Sequence, residues 1–175
     1  MRKESGFTLV ELLVALCVLS ICVGTAVPSF ARLLERQRAT STMNALVEYM
    51  AEARAAAIMS RRDAVLCPSV DGSTCTGGTD WSRGWILFQD DNGDRAPSAV
   101  DRLVRVEARS SPGVLTIRST TGRRSLRYLP DGRSAGANLT LSVCDRAGNL
   151  LGSVIVNNTG RARSERPKPS ARCPT

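Results

Sequence analysis

The chain has 175 residues, 42% hydrophobic and 23% charged, which suits one globular domain and excludes a wholly disordered or collagen-like chain. It carries 24 basic residues against 16 acidic ones, a net charge of +8, and no histidine. The missing imidazole excludes Ser-His-Asp and Cys-His nucleophiles and His-ligated zinc or haem.

The chain opens with a polar leader, MRKESG, at residues 1–6, and then runs from Phe7 to Ala31 with the single charge of Glu11. From Leu12 to Phe30 no residue is charged, a stretch of about 28 Å as a helix, enough for the hydrocarbon core of a bilayer. Arg2 and Lys3 ahead of it place the N-terminus in the cytoplasm and the rest of the chain across the membrane. A secretory signal has its small-residue cleavage site after the apolar run, whereas here Gly6 precedes it. A cut after Gly6 leaves the helix on the mature chain with Phe7 first and Glu11 fifth. A carboxylate at that depth is costly and calls for a cationic partner.

GFTLVELLVAL, with Gly6, Phe7, Thr8 and Glu11 in place and Pro28 further along, resembles the signature of type IV pilins and pseudopilins. The resemblance implies that a prepilin peptidase cuts after Gly6 and methylates the new amine of Phe7. It also implies that Glu11 pairs with the terminal amine of a neighbouring pilin during assembly. A buried carboxylate and a buried ammonium, each unpartnered in its own chain, can satisfy one another across subunits. The expected location is therefore the inner membrane first, as a single pass with a periplasmic domain, and then an extracellular pilus.

Beyond the anchor at 7–31, residues 32–60 lack Gly and Pro and are rich in helix formers. Leu34, Ala39, Met43, Leu46, Val47, Met50, Ala51, Ala55, Ile58 and Met59 recur at spacings of three and four, an apolar stripe that should pack on the following domain. With the anchor this predicts one helix of about 80 Å, bent at Pro28.

Residues 61–159 read as β-rich. Seven strands are predicted at 64–67, 85–89, 103–108, 114–118, 125–129, 139–144 and 151–157, separated by turn pairs such as Asn92-Gly93 and Asp131-Gly132. The expected fold is α+β: a long N-terminal helix, transmembrane then amphipathic, packed on antiparallel sheets in a pilin-like manner. Cys17 and Cys22 lie in the apolar run. Cys67, Cys75, Cys144 and Cys173 lie in the exported part, where an oxidising compartment allows three pairings. Cys67 with Cys75 and Cys144 with Cys173 is the favoured one, closing a short loop and tying the tail to a strand. Asp90, Asn92, Asp94 and Asp101 have a partial calcium-loop spacing, but Arg95 stands where glycine is needed and no Glu closes the loop, so no metal and no other cofactor is expected.

The net charge is local. Residues 1–60 hold six basic and five acidic groups, 61–110 seven and eight, and 111–175 eleven and three. Such a distribution suggests a polyanionic partner for the C-terminal region. The Cys67 to Cys75 loop, WSRGWILFQDDNGDR, RYLPDGR, LTLSVCDRAG and VIVNNTGRARSERP together resemble the GspH/FimT group of minor pilins and pseudopilins. Minor pilins of the FimT type in that group carry a flexible C-terminal tail whose G-R-x-R motif binds DNA during natural transformation. Gly160, Arg161 and Arg163 match the motif, and Arg166, Lys168 and Arg172 follow in a basic tail at 160–175. Arginine forks suit phosphate oxygens, and a glycine lets backbone N–H groups approach the same anion. A second basic block contains Arg118, Arg123, Arg124, Arg127 and Arg133, and would join the tail if strand pairing placed it alongside. With aromatics at 4% and no base-reading module, binding is expected to the backbone of double-stranded DNA. The competing expectation is a structural pseudopilin of a type II secretion system that binds no DNA.

Overall fold

The computed structural model describes residues 8–109, 114–168 and 170–174. Gly6 and Phe7, the expected processing site, lie outside them. The chain divides into two compact units, Met1–Gln37 and Arg38–Thr175. Helix α1 spans Leu9–Ser60 and runs through Pro28 without interruption, so it contributes to both.

In the first unit Thr8 caps the helix, its Oγ1 accepting the Glu11 N–H at 3.2 Å, which satisfies one of the orphan donors of the first turn. The hydroxyls in the apolar run are satisfied within the helix itself. Ser20 donates to the Cys17 carbonyl at 2.8 Å, Thr25 to Ile21 at 3.2 Å and Ser29 to Thr25 at 3.2 Å. These internal bonds remove the cost of placing Ser and Thr in hydrocarbon. Among the described residues this is the one helix long and apolar enough to cross a membrane.

The second unit holds two four-stranded antiparallel sheets. The first, in the order β3-β2-β1-β5, is built from β1 (Asp63–Pro68), β2 (Gly84–Asp90), β3 (Arg102–Ala108) and β5 (Leu126–Tyr128). The second, in the order β4-β6-β7-β8, is built from β4 (Thr116–Ser119), β6 (Leu139–Cys144), β7 (Leu150–Val156) and β8 (Ala162–Glu165). Alternate residues of both sheets enter one core with the helix: Leu66, Trp85, Leu87 and Tyr128 from the first, Ile117, Leu141, Val143 and Val154 from the second. The opposite face of the first sheet buries Val65, Cys67, Ile86 and Phe88 against Cys75, whose disulfide to Cys67 folds the intervening loop back over the strands.

The helix face differs from the expected stripe. Ala39, Met43, Leu46 and Met50 are buried as read, but beyond them the buried line follows Tyr49, Ala53 and Ala57, while Ala51, Ala55, Ile58 and Met59 are exposed. Tyr49 fixes the rotation. Its ring meets Trp85 edge-on at 5.7 Å and its hydroxyl donates to Glu107 at 3.2 Å, while Arg105 sits 4.3 Å over its face and bridges Glu48 and Glu52 at 2.7 and 3.0 Å. Nor does Asn92-Gly93 make a tight hairpin. Residues 91–101 form a longer loop, and only beyond Gln89 and Arg102 does the β2–β3 ladder resume.

Seven strands lie within two residues of their expected limits. The eighth, β8, falls in the segment read as a tail.

A cationic loop fastened along strand β7

The Gly-Arg motif begins in the turn between β7 and β8. Asn157 organises that turn: its carbonyl accepts the Gly160 N–H at 2.9 Å and its Oδ1 accepts the Arg161 N–H at 3.1 Å and the Thr159 hydroxyl at 2.7 Å. Gly160 has φ +81 and is buried, and a Cβ there would run into the Gly132 carbonyl and the Tyr128 ring. Its own carbonyl accepts the Tyr128 hydroxyl at 3.1 Å and Arg54 Nη1 at 3.5 Å. The motif glycine is therefore a packing residue between β5 and the turn. The expected nest for an anion is absent at this point, because the N–H groups of Gly160 and Arg161 are both already bonded to Asn157.

Strand β8 pairs with β7 from Val156↔Ala162 to Ser153↔Glu165. Ala162 and Ser164 stand opposite the buried Val156 and Val154, so the period of two turns Arg163 and Glu165 to the outer face. There Arg163 Nε donates to Glu165 at 2.8 Å, both side chains about half exposed. Arg161, Arg166 and Lys168 are exposed, and among the described residues nothing engages their charged ends.

After β8 the chain leaves the sheet and returns to it. The Ala171 N–H bonds the Lys168 carbonyl at 3.2 Å, and Ser170 takes a positive φ of 63. The Leu150 N–H then donates to Ala171 at 2.9 Å, Asn149 bridges Arg172, and the Cys173 N–H donates to Gly148 at 2.9 Å. The Cys144–Cys173 disulfide, with 6.0 Å between Cα atoms, closes this end. The basic segment, expected to be tied back by Cys173, is a loop paired to one strand at both ends. Four of its five cations, Arg161, Arg166, Lys168 and Arg172, are exposed without an acidic partner, and Glu165 is the one acid among residues 160–175.

The second basic block is dispersed by the fold. Arg118 lies exposed on β4, opposite Ser142 in register and on the same outer face as Glu165, but at the far edge of the sheet from β8, about 14 Å away at three strand spacings. Arg123 corrects the sequence reading outright. It is 8% exposed and donates to Ser134 Oγ at 2.8 Å and to the Ala135 carbonyl, so its guanidinium belongs to the interior and cannot reach a phosphate. Burial pushes its pKa below the usual arginine value. Arg124 is exposed and bonds the Gly77 carbonyl at 3.2 Å, away from the loop. Arg127 pairs with Asp63 at 2.9 Å and Arg133 with Asp131 at 2.6 Å.

The acidic cluster of the β2–β3 loop has a structural explanation. The Asp90, Asp94 and Asp101 carboxylates converge within 4.8 Å. Each caps N–H groups of its own loop, Asp90 those of Gly93 and Arg95, Asp94 that of Ala96, Asp101 those of Asp91 and Ser98. Their convergence follows from that capping. Glu11 is exposed in the first turn of α1.

One exposed cation of this region was not singled out in the sequence. Arg146 sits on the turn between β6 and β7, the turn to which Arg172 and Cys173 are fastened. The signal for it lay in the cysteine pairing, since bonding Cys173 to Cys144 brings the loop next to residue 146.

Comparison with known proteins agrees with this architecture. The family model described as Type II transport protein GspH matches residues 42–160, and that of the prokaryotic N-terminal methylation motif matches residues 1–27. The type IV minor pilin FimU of Pseudomonas aeruginosa has a similar fold, with a TM-score of 0.56 at 20% identity over 83% of this chain and 96% of that one. The minor pseudopilin EpsH of the type 2 secretion system of Vibrio cholerae gives 0.51 at 17% identity over 74% and 97%. No curated protein sequence matches the chain.

Proposed function

This chain belongs to the GspH family, and from that premise we propose that it is a minor pilin whose cationic loop along β7 binds the backbone of double-stranded DNA, for DNA uptake in natural transformation. The observation that carries the reading is the loop itself: Arg161, Arg163, Arg166, Lys168 and Arg172 on a segment closed at both ends, with Glu165 its one acid. Closure lowers the ordering cost of binding, and unpaired guanidinium groups can bond phosphate oxygens as forks. The methylation motif and the apolar run of α1 fit a subunit that is cut by a prepilin peptidase, held in the inner membrane and then assembled with other pilins into a filament.

Nothing in the loop reads bases. Binding is therefore to phosphates, without sequence preference and weakened steeply by salt. Charge reversal of Arg161 and Arg163 together weakens duplex binding by the full chain in uncharged detergent micelles at least about tenfold at low salt and leaves its unfolding midpoint where it was. Retained affinity in that variant excludes the loop as the DNA site.

The second reading is a minor pseudopilin of a type II secretion system with a purely structural role, which the family description and the likeness to EpsH favour. Loss of protein secretion on deletion, with no duplex binding at low salt, selects it. Loss of transformation with secretion intact selects the first.

A further inference from the structure

The loop is held to the sheet by two different means. At the β8 end it is held by a strand ladder, and at the other end by the Cys144–Cys173 crosslink together with bonds onto the β6–β7 turn. That turn is rigid. Asp145 accepts the Asn149 N–H at 2.8 Å and its side-chain amide at 2.7 Å, the Gly148 N–H donates to the Asp145 carbonyl at 3.2 Å, and Gly148 supplies a φ of +78. Arg146 rides near its tip, exposed, and among the described residues nothing engages its guanidinium. Arg172 reaches the same turn from the other side of the crosslink, its Nη1 on the Ala147 carbonyl at 3.3 Å. Cations separated by 26 positions in sequence thus share one turn, and Asp145, spent on Asn149, offsets only one of the two charges.

We propose that Arg146 is a further contact for duplex DNA, and that the Cys144–Cys173 crosslink positions it by fastening the loop to its turn, so that the binding surface has a second anchor point at the end remote from Arg161 and Arg163. The inference rests on the DNA-binding reading above and adds to it a residue outside the Gly-Arg motif and a covalent positioning element. Mere surface charge acts at long range and independently of the loop. A residue that shares phosphates with the loop depends on the loop being closed.

The test is a cycle between Arg146→Ala and opening of the crosslink, read as affinity of the full chain in uncharged detergent for a 30-base-pair duplex across a salt series. In the closed chain Arg146→Ala weakens binding about fivefold, the upper end for one exposed ion pair, and makes the slope of log K against log salt shallower by about 0.9. Arg146→Lys keeps the slope. In the opened chain, the Cys144→Ser, Cys173→Ser double variant, the same Arg146→Ala substitution changes affinity less than twofold, because the two changes act through one arrangement. If the double serine variant does not fold, the single Cys173→Ser variant opens the same crosslink and leaves Cys67–Cys75 in place. A neutral Arg146→Ala in the closed chain, or an equal loss in closed and opened chains, overturns the inference and leaves the DNA-binding reading standing. No duplex binding by the closed wild-type chain at low salt overturns the reading itself.

Discussion

The two basic blocks of the C-terminal third look alike in sequence and differ in the folded chain. Between residues 118 and 133, Arg123 is buried against Ser134 and Ala135, Arg127 is paired with Asp63 and Arg133 with Asp131. Between 161 and 172, Arg163 alone has an acidic partner, on its own strand, and all five cations are exposed. Density of arginine is therefore a poor guide to a polyanion site. What matters is how many guanidinium groups the fold has already used and where it leaves the others: Arg123 and Arg127 are held around β5, Arg118 and Arg124 are exposed but apart, and the second block keeps its exposed cations together on one loop.

The sharpest way to break this contrast is at Gly160, which the motif assigns to binding and the structure assigns to packing. Gly160→Ala must carry a Cβ at φ +81 against the Gly132 carbonyl, and costs about 3 kcal/mol in denaturant unfolding. A neutral result there would return the glycine to a binding role. Arg123→Ala comes next. It removes charged hydrogen bonds from a buried site and costs about 2 kcal/mol, and the folded variant keeps the wild-type salt slope for duplex binding. A shallower slope would place Arg123 back in the interface.

The smallest substitution effect is at Tyr128, and it is read in alkali. Burial pushes the phenols of Tyr49 and Tyr128 up to about 12. Folding favours the neutral phenol, so this stability is fully present below the unfolded value near 10 and is lost as pH rises towards 12. For Tyr128, which bonds Gly160, the loss is on the order of 2 kcal/mol, and Tyr128→Phe removes that part of the pH dependence while losing about 1 kcal/mol at neutral pH. The comparison is read from unfolding midpoints between pH 9 and pH 11.5.

Much of the fold was legible because the buried strands alternate or run apolar. β6, Leu139–Cys144, coincides with its expected limits, and β1 and β2 extend them by one residue at either end. The helix face was legible at Ala39, Met43, Leu46 and Met50 but not at Leu34, which is exposed, nor at Tyr49 or beyond Met50, since the following alanines lie on every side of the helix and only the contacts of Tyr49 select one. β8 was illegible. Ala-Arg-Ser-Glu has no apolar pattern, and its strand character comes from pairing with β7 and from the return of the chain to Cys144. The candidate site was legible in its exposed cations, Arg161, Arg163, Arg166, Lys168 and Arg172. It was illegible in Arg123, whose neighbours Gly122 and Arg124 suggest a surface turn, and in Arg146, which the disulfide and the backbone bonds beside it bring to the loop.

The most direct test of the contrast is the salt dependence of duplex binding by the full chain, measured side by side in wild type, in Arg161→Glu with Arg163→Glu, and in Arg127→Ala with Arg133→Ala. The wild-type slope of log K against log salt should be about −4, at about 0.9 per phosphate neutralised, and the Arg127, Arg133 variant should match it. The Arg161, Arg163 variant should show a slope shallower than about −2 and at least tenfold weaker binding at low salt, with an unchanged unfolding midpoint. A slope that falls with Arg127 and Arg133 and survives reversal of Arg161 and Arg163 would contradict the account.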